Sequence, residues 1–296
     1  MNKKIYIVVL NWNGFSDTKE CLDSLKRIDY TNYEIIVVDN GSTDGSAQKI
    51  EKDFPFVSLI KNKENLGFSK GNNIGIRKAM KYDTDYILLL NNDVIVDPKF
   101  LSELVRGAET DPKIGMANPK IYYYDRPNVI WYAGARFNNI IGSSPHIGWK
   151  EEDEGQFDNK REPERLTGAC MLIKKCVIKD VGYLNEDYFA IVEDSEFSIR
   201  VKRAGYKLLF VPESIIWHKV SSSSGGEDSP QNIYYSTRNT LYLIKEYYLF
   251  SLPFALMKCY LKYYYLYLRG EKEKARIVLS AVSDFKHNRK GKSEKY

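Results

Sequence analysis

Closely paired cysteines are missing from this 296-residue chain: Cys21, Cys170, Cys176 and Cys259 form no CxxC-type spacing, so a zinc-knuckle reading has no ligands. No GxGxxG and no GxxxxGK[ST] occurs, which removes the dinucleotide fingerprint and the P-loop. No uninterrupted apolar stretch is long enough to span a bilayer. No signal-peptide pattern precedes the first apolar run either, and the expected setting is a reducing cytoplasm. An excess of basic charge is absent outside the C-terminal end. Residues 245–295 hold twelve basic and five acidic residues, a local +7 within a net charge of +5. A nucleic-acid protein would spread Lys and Arg over its folded face, so no nucleic-acid partner is expected and a membrane surface is favoured.

What is present is a chain of strand-loop-helix units, long enough to bury a full core. Tyr86 to Leu90 is an apolar run without alternation, as in a strand covered on both faces, and it stops at Asn91, Asn92 and Asp93. Residues 4–10 (KIYIVVL) break at Asn11, Trp12, Asn13 and Gly14, and residues 34–38 run into Asp39 and a Gly-, Ser- and Asp-rich loop. Residues 57–61 lead to Asn65, Leu66, Gly67 and Phe68, then to a helix carrying Asn72 and Asn73. Three such units before a fourth strand imply right-handed crossovers and a mainly parallel, Rossmann-like α/β sheet flanked by helices, its loops along one edge. An acid at the end of the second strand suits a base or ribose, and an acid at the end of the fourth suits a divalent cation held against a diphosphate.

The four loops together (WNG, VDNGSTDGS, NLGFSKGNNIG and LLNND) resemble those of family two glycosyltransferases with the GT-A fold, the rhamnosyltransferase-like group in particular. The resemblance extends to about Asn239. It implies that Asp39 contacts the nucleobase, that Asn11 and Asn13 line the nucleotide pocket, and that Asp93 is the metal-binding end of a DXD motif. Gly67, Asn72 and Asn92 join this nucleotide-sugar set. The first acid of that motif is here Asn91, so the diphosphate would supply much of the negative charge around Mg²⁺ or Mn²⁺. The implied donor is a nucleoside-diphosphate sugar, dTDP- or UDP-linked with rhamnose as one candidate, and the implied acceptor a glycan or lipid-linked hydroxyl in cell-surface polysaccharide or glycolipid synthesis.

In the second half a helix is expected from Asp97 to about Ala108 and an apolar strand over residues 114–124, while residues 126–165 show no regular pattern. A strand is predicted over residues 166–173, with Thr167, Gly168 and Ala169 leaving room for a ligand. Glu193, Asp194 and Glu196 open a helix; three acids within four residues exceed what a cap requires. Inverting transfer needs one carboxylate to take the acceptor's proton, and the resemblance places it at Asp194, with Glu193 and Glu196 as other candidates. His218, at a strand end, is the second candidate metal ligand, the following Ser-Gly run (221–226) a candidate lid, and Arg238 a candidate clamp on the departing diphosphate. The expected organisation is a catalytic domain over residues 1–240, divided near 110 into a nucleotide half and an acceptor half, with a helical basic tail over 241–296. Residues 247–268 carry nine aromatics and two lysines; they suit the headgroup level of a bilayer, with a hairpin packed on the core or a homodimer contact as alternatives. Two further functions stay open: a non-catalytic sugar-nucleotide-binding protein, which Asn91 favours and the Glu193–Asp194 pair opposes, and a nucleotidyltransferase, which lacks its Gly- and Lys-containing activation loop.

Overall fold

The computed structural model describes residues 3–220 and 228–296. The first part of the chain alternates β1 (Ile5–Asn11), α1 (Phe15–Leu25), β2 (Tyr33–Asp39), α2 (Ser46–Asp53), β3 (Ser58–Lys61), α3 (Gly67–Ala79) and β4 (Tyr86–Asn91). The four strands are parallel in the order β3-β2-β1-β4. The unalternated strand sequences have the expected cause. Ile5, Ile7 and Val9 of β1 enter one apolar core while Tyr6 and Val8 enter another on the opposite face, and Leu88 and Leu90 are separated from Ile87 and Leu89 in the same way. Helix α1 buries Thr18, Cys21, Leu22 and Leu25, one stripe at helical spacing.

Beyond β4 the sheet becomes mixed, through β5 (Val94–Val96), α4 (Phe100–Ala108), β6 (Ile114–Tyr123), β7 (Ile130–Tyr132), β8 (Cys170–Lys174), α5 (Lys175–Val181), α6 (Glu193–Arg203) and β9 (Lys207–His218). The described strands make one nine-stranded sheet in the order β3-β2-β1-β4-β8-β6-β9-β5, with β7 on β6. This is a mixed α/β sheet, parallel through its first four strands and flanked by helices.

The chain turns at Asn92–Asp93, where the apolar run of β4 stops, and β5 pairs antiparallel with β9. Two local expectations need correction. Residues 166–169 are not strand: the Thr167 amide donates to Asn118 Oδ1 (2.7 Å) and the Gly168 amide to Asp194 Oδ2 (3.1 Å) instead of to a neighbouring strand. Residues 126–165 are ordered by β7 and isolated bridges such as Ala135 with His146, and they bury Tyr132, Ala133, Ala135 and Phe157.

The C-terminal helices are α7 (Pro230–Tyr247), α8 (Leu252–Leu268) and α9 (Lys272–Lys286). Helix α7 runs through residue 240, where the sequence suggested a boundary. Ile277, Val278 and Ala281 of α9 pack on Ile233, Tyr234 and Tyr235 of α7, and the Tyr296 ring returns to stack on Tyr234 at 4.7 Å. Helix α8 buries Ala255 and Leu266 and leaves its opposite face exposed. No described helix is long and apolar enough to cross a membrane.

Candidate active site

A cavity of about 760 Å³ opens along the carboxyl edge of the parallel strands and extends to α8. Strand register builds its first wall. Val94 pairs with His218 across β5 and β9, and the Lys219 amide donates to the Asp93 carbonyl (2.9 Å), so Asp93 and His218 meet although 125 residues apart in sequence. His218 Nε2 lies 3.1 Å from Asp93 Oδ1, and both side chains are buried. The Trp131 ring stands edge-on to His218 (4.6 Å between centroids) and to His146 (4.7 Å), fixing the imidazole plane. An imidazole nitrogen beside a carboxylate oxygen is a donor set that suits Mn²⁺ or Mg²⁺. His218 Nδ1 is buried without a hydrogen-bond partner among the described residues, and no group of three His, Cys, Asp or Glu side chains converges there. The two residues fit a cation that takes its remaining ligands from a diphosphate and water.

The second wall is the first turn of α6. Ile191 and Val192 precede it with φ of +67° and +82°, a left-handed conformation that branched side chains rarely adopt. Asn239 of α7 holds them there, donating from Nδ2 to the carbonyls of Ala190 (2.8 Å) and Ile191 (2.9 Å). This strained turn points Glu193 and Asp194 into the cavity. Asp194 Oδ2 accepts from the Gly168 amide and faces Arg165 Nη1 at 3.4 Å; the Arg165 guanidinium is itself held by Ser144 and by the Leu166 carbonyl. Burial, reinforced by the negative charge of Asp194, pushes the Glu193 carboxyl up to about 8. Its Oε2 has no hydrogen-bond partner among the described residues. His146, whose Nδ1 lies 3.0 Å from the Trp131 carbonyl oxygen, is pulled down to about 3 by burial and by Arg165 and so stays neutral.

The residues singled out from sequence separate into two groups. Asp93, Asn92, His218, Glu193, Asp194 and Gly67 all line the cavity. Asn92 also donates to Thr18 Oγ1 (3.0 Å). Gly67 has φ +82° and lies where a side chain would collide with Phe189, so only glycine permits this approach of α3 to the 189–192 segment. The others do not line it and make hydrogen bonds within the fold. Asn11 Nδ2 donates to Asp39 Oδ2 (2.7 Å), the Ser42 amide donates to Asp39 Oδ1, and Asn13 Oδ1 accepts from the Thr43 amide, which ties the first two loops together. Asn72 donates to the Phe68 carbonyl within its own helix. Glu196 does not line the cavity: it is buried against Arg200 (2.7 Å) and accepts from the Tyr247 hydroxyl (2.6 Å). Arg238 also lies off it, its guanidinium donating to Asn239 Oδ1, the Tyr234 hydroxyl and the Gly291 carbonyl, and so it buttresses the residue that holds the strained turn. The candidate lid, residues 221–226, lies outside the described residues.

Arg165, Trp131, His146 and Asn239 were not assigned a site role from sequence. Trp131 and His146 sit in a stretch without periodicity, and neither Arg165 nor Asn239 belongs to a short motif; only the small-residue run after Arg165 hinted that a backbone there faces a ligand.

Residues 6–182 match the family described as Glycosyl transferase family 2. An uncharacterised protein of Sinorhizobium fredii, y4gI, is 30% identical over 70% of this chain, and the match covers 23% of that relative. The N-acetylglucosaminyl-diphospho-decaprenol L-rhamnosyltransferase of Mycobacterium tuberculosis is 25% identical over 76% of this chain and 79% of its own. The poly-beta-1,6-N-acetyl-D-glucosamine synthase of Staphylococcus aureus is 29% identical over 73% of this chain and 50% of its own. The chain thus spans from about a quarter to four fifths of these relatives. Among solved structures, GalNAc-T7 with UDP, GalNAc and Mn²⁺ superposes with a TM-score of 0.63 at 18% identity, covering 80% of this chain and 47% of that one. A mannosyltransferase from Pyrobaculum calidifontis in complex with GDP-Man and Mn²⁺ gives a TM-score of 0.59 at 14% identity over 96% and 87% of the two chains.

Proposed function

This chain belongs to glycosyl transferase family 2, and from that premise we propose that it transfers a sugar from a nucleoside diphosphate to an acceptor hydroxyl with inversion at the anomeric carbon. The observation that carries the reading is one cavity with two opposed functions on its walls: Asp93 and His218 at the ends of β4 and β9, and the acidic first turn of α6. Asp93 and His218 would hold Mg²⁺ or Mn²⁺ against the donor's diphosphate, and the cation, when bound, offsets the charge that grows on the leaving group. Asp194 accepts the proton of the attacking hydroxyl. Arg165 and the Gly168 amide fix its carboxylate, so that it meets the hydroxyl in one orientation. Glu193, protonated below about pH 8, adds no second charge at neutral pH and can donate a hydrogen bond to a sugar oxygen. Trp131, Phe68 and Phe189 supply apolar walls that exclude water.

The named relatives favour a rhamnosyl or N-acetylglucosaminyl donor and polysaccharide or glycolipid synthesis, and the family resemblance favours a dTDP- or UDP-linked sugar. The exposed face of α8 favours a peripheral position at the cytoplasmic face of a membrane. Asp194→Asn tests the assignment of the base: transfer is expected to fall about 100-fold or more while donor affinity holds, and an unchanged turnover number moves the role to Glu193.

A further inference from the structure

We infer that His146 is a specificity-determining residue whose Nε2 accepts a hydrogen bond from a hydroxyl of the donor sugar. The inference rests on the glycosyltransfer reading above and adds a residue that reading does not use. The Trp131 carbonyl, 3.0 Å from Nδ1, can only accept, so the ring proton sits on Nδ1 and Nε2 keeps its lone pair. Burial, Arg165 and His218 all disfavour a second proton, and the neutral tautomer is the working form. Among the described residues no hydrogen bond reaches Nε2, and it is not sealed from solvent as His218 Nδ1 is. The residue lines the cavity, and Nε2 is its open polar atom there.

The ring is fixed in place. It meets the rings of Trp131 (4.7 Å between centroids, 81°) and Tyr132 (5.1 Å, 90°) edge-on. On either side of it the Arg136 amide donates to the Pro145 carbonyl (3.1 Å) and the Ala133 amide to the Ile147 carbonyl (3.0 Å), which ties its segment to the chain after β7. Its position assigns its partner. Trp131 also touches His218 on the cation side, and Arg165, whose charge acts on His146, faces Asp194 at 3.4 Å. A donor sugar whose diphosphate is held at Asp93 and His218, attacked by a hydroxyl that Asp194 deprotonates, lies between those walls and beside His146. Neighbouring polar groups are already taken: Ser144 Oγ and the Ser144 carbonyl accept from Arg165, Thr167 Oγ1 accepts from the Ala169 amide, and the Gly168 amide donates to Asp194. A fixed lone pair rewards a free hydroxyl and is left unpaired by a deoxy or O-acylated position.

The test is nitrogen-15 NMR of the full chain, whose three histidines let the His146 ring be assigned by comparison with His146→Phe. Without ligand, Nδ1 is expected to stay protonated and Nε2 bare from about pH 5 to about pH 8, the window in which an ordinary imidazole titrates. In Mg²⁺ and without acceptor, saturation with UDP-N-acetylglucosamine, dTDP-rhamnose or GDP-mannose, whichever binds by calorimetry, should shift Nε2 as a new hydrogen bond does, and the matching nucleoside diphosphate should not. His146→Phe keeps the ring contacts and removes the acceptor: affinity for the sugar nucleotide is expected to fall about tenfold while that for the nucleoside diphosphate holds. A proton on Nε2, an Nε2 signal that the nucleoside diphosphate moves equally, or equal losses of both affinities in the variant would each overturn the inference. A chain that binds a sugar nucleotide with Nε2 unmoved loses this inference and keeps the glycosyltransfer reading; one that binds none of the three loses both.

Discussion

Glu193 shows how a single buried carboxyl sets the electrostatics of the site. With its pKa raised from the ordinary 4.5 to about 8, the folded chain keeps a proton that the unfolded chain releases between those values. The unfolded state is therefore increasingly favoured as pH rises through that window; the penalty is absent below about 4.5 and complete above about 8. Glu193→Gln removes the titrating group and keeps its shape. Its unfolding free energy is expected to fall less steeply than that of the native chain between pH 5 and 8, with the difference in its favour at pH 8; parallel denaturation curves at the two pH values would contradict the assigned burial. Asp194, its neighbour, differs in having partners: a backbone amide and the Arg165 guanidinium. The sequence showed three acids in four residues but not which of them faces the ligand. Glu196, one helical turn from Arg200, is taken up by an intrahelical pair that depends on rotamer choice and on Tyr247, 51 residues away.

At the scale of elements, α7 links the tail to the active site. Asn239 clamps the left-handed Ile191–Val192 turn, Arg238 braces Asn239, and the Gly291 carbonyl beyond α9 in turn accepts from Arg238. Asn239→Ala removes its two hydrogen bonds to the turn and the one it accepts from Arg238, and frees the turn. About 1–2 kcal/mol of stability should be lost, while turnover falls about 10- to 100-fold through misplacement of Asp194; donor affinity, measured by titration calorimetry, should change little. Deleting the chain after Tyr247 is expected to give insoluble protein, because it uncovers Ile233, Tyr234, Tyr235 and Leu243 and strips Arg238 of a partner. A soluble truncated chain with a native thermal transition would show the tail to be an appendage. The repeating elements of the nucleotide half were legible because each strand and loop is local in sequence. The tail's two roles were not, since aromatic and lysine content looks alike whether a face packs inward or outward, and α8 does both.

Over the whole molecule, the parallel direction of the first four strands followed from the alternation of apolar runs and polar loops, and with it the edge on which Asp93 sits; their order did not. Nor did the antiparallel additions. Whether β5 breaks from β4 and pairs with β9 is fixed by contacts more than 120 residues apart, and those contacts bring His218 to Asp93. Arg238 read as a diphosphate clamp because an Arg after a polar loop has that chemistry; its buried position comes from α9 and the C-terminal residues folding back over it. In the proposed reaction Asp93 and His218 hold a cation that helps a nucleoside diphosphate leave an activated sugar. Nucleotide release from a panel of UDP-, dTDP- and GDP-sugars in Mn²⁺, compared with excess EDTA and with Asp93→Asn, tests it most directly. Release from at least one donor is expected in Mn²⁺, abolished by the chelator and by the substitution; full release in excess EDTA, or in Asp93→Asn, would rule out a cation held by these residues.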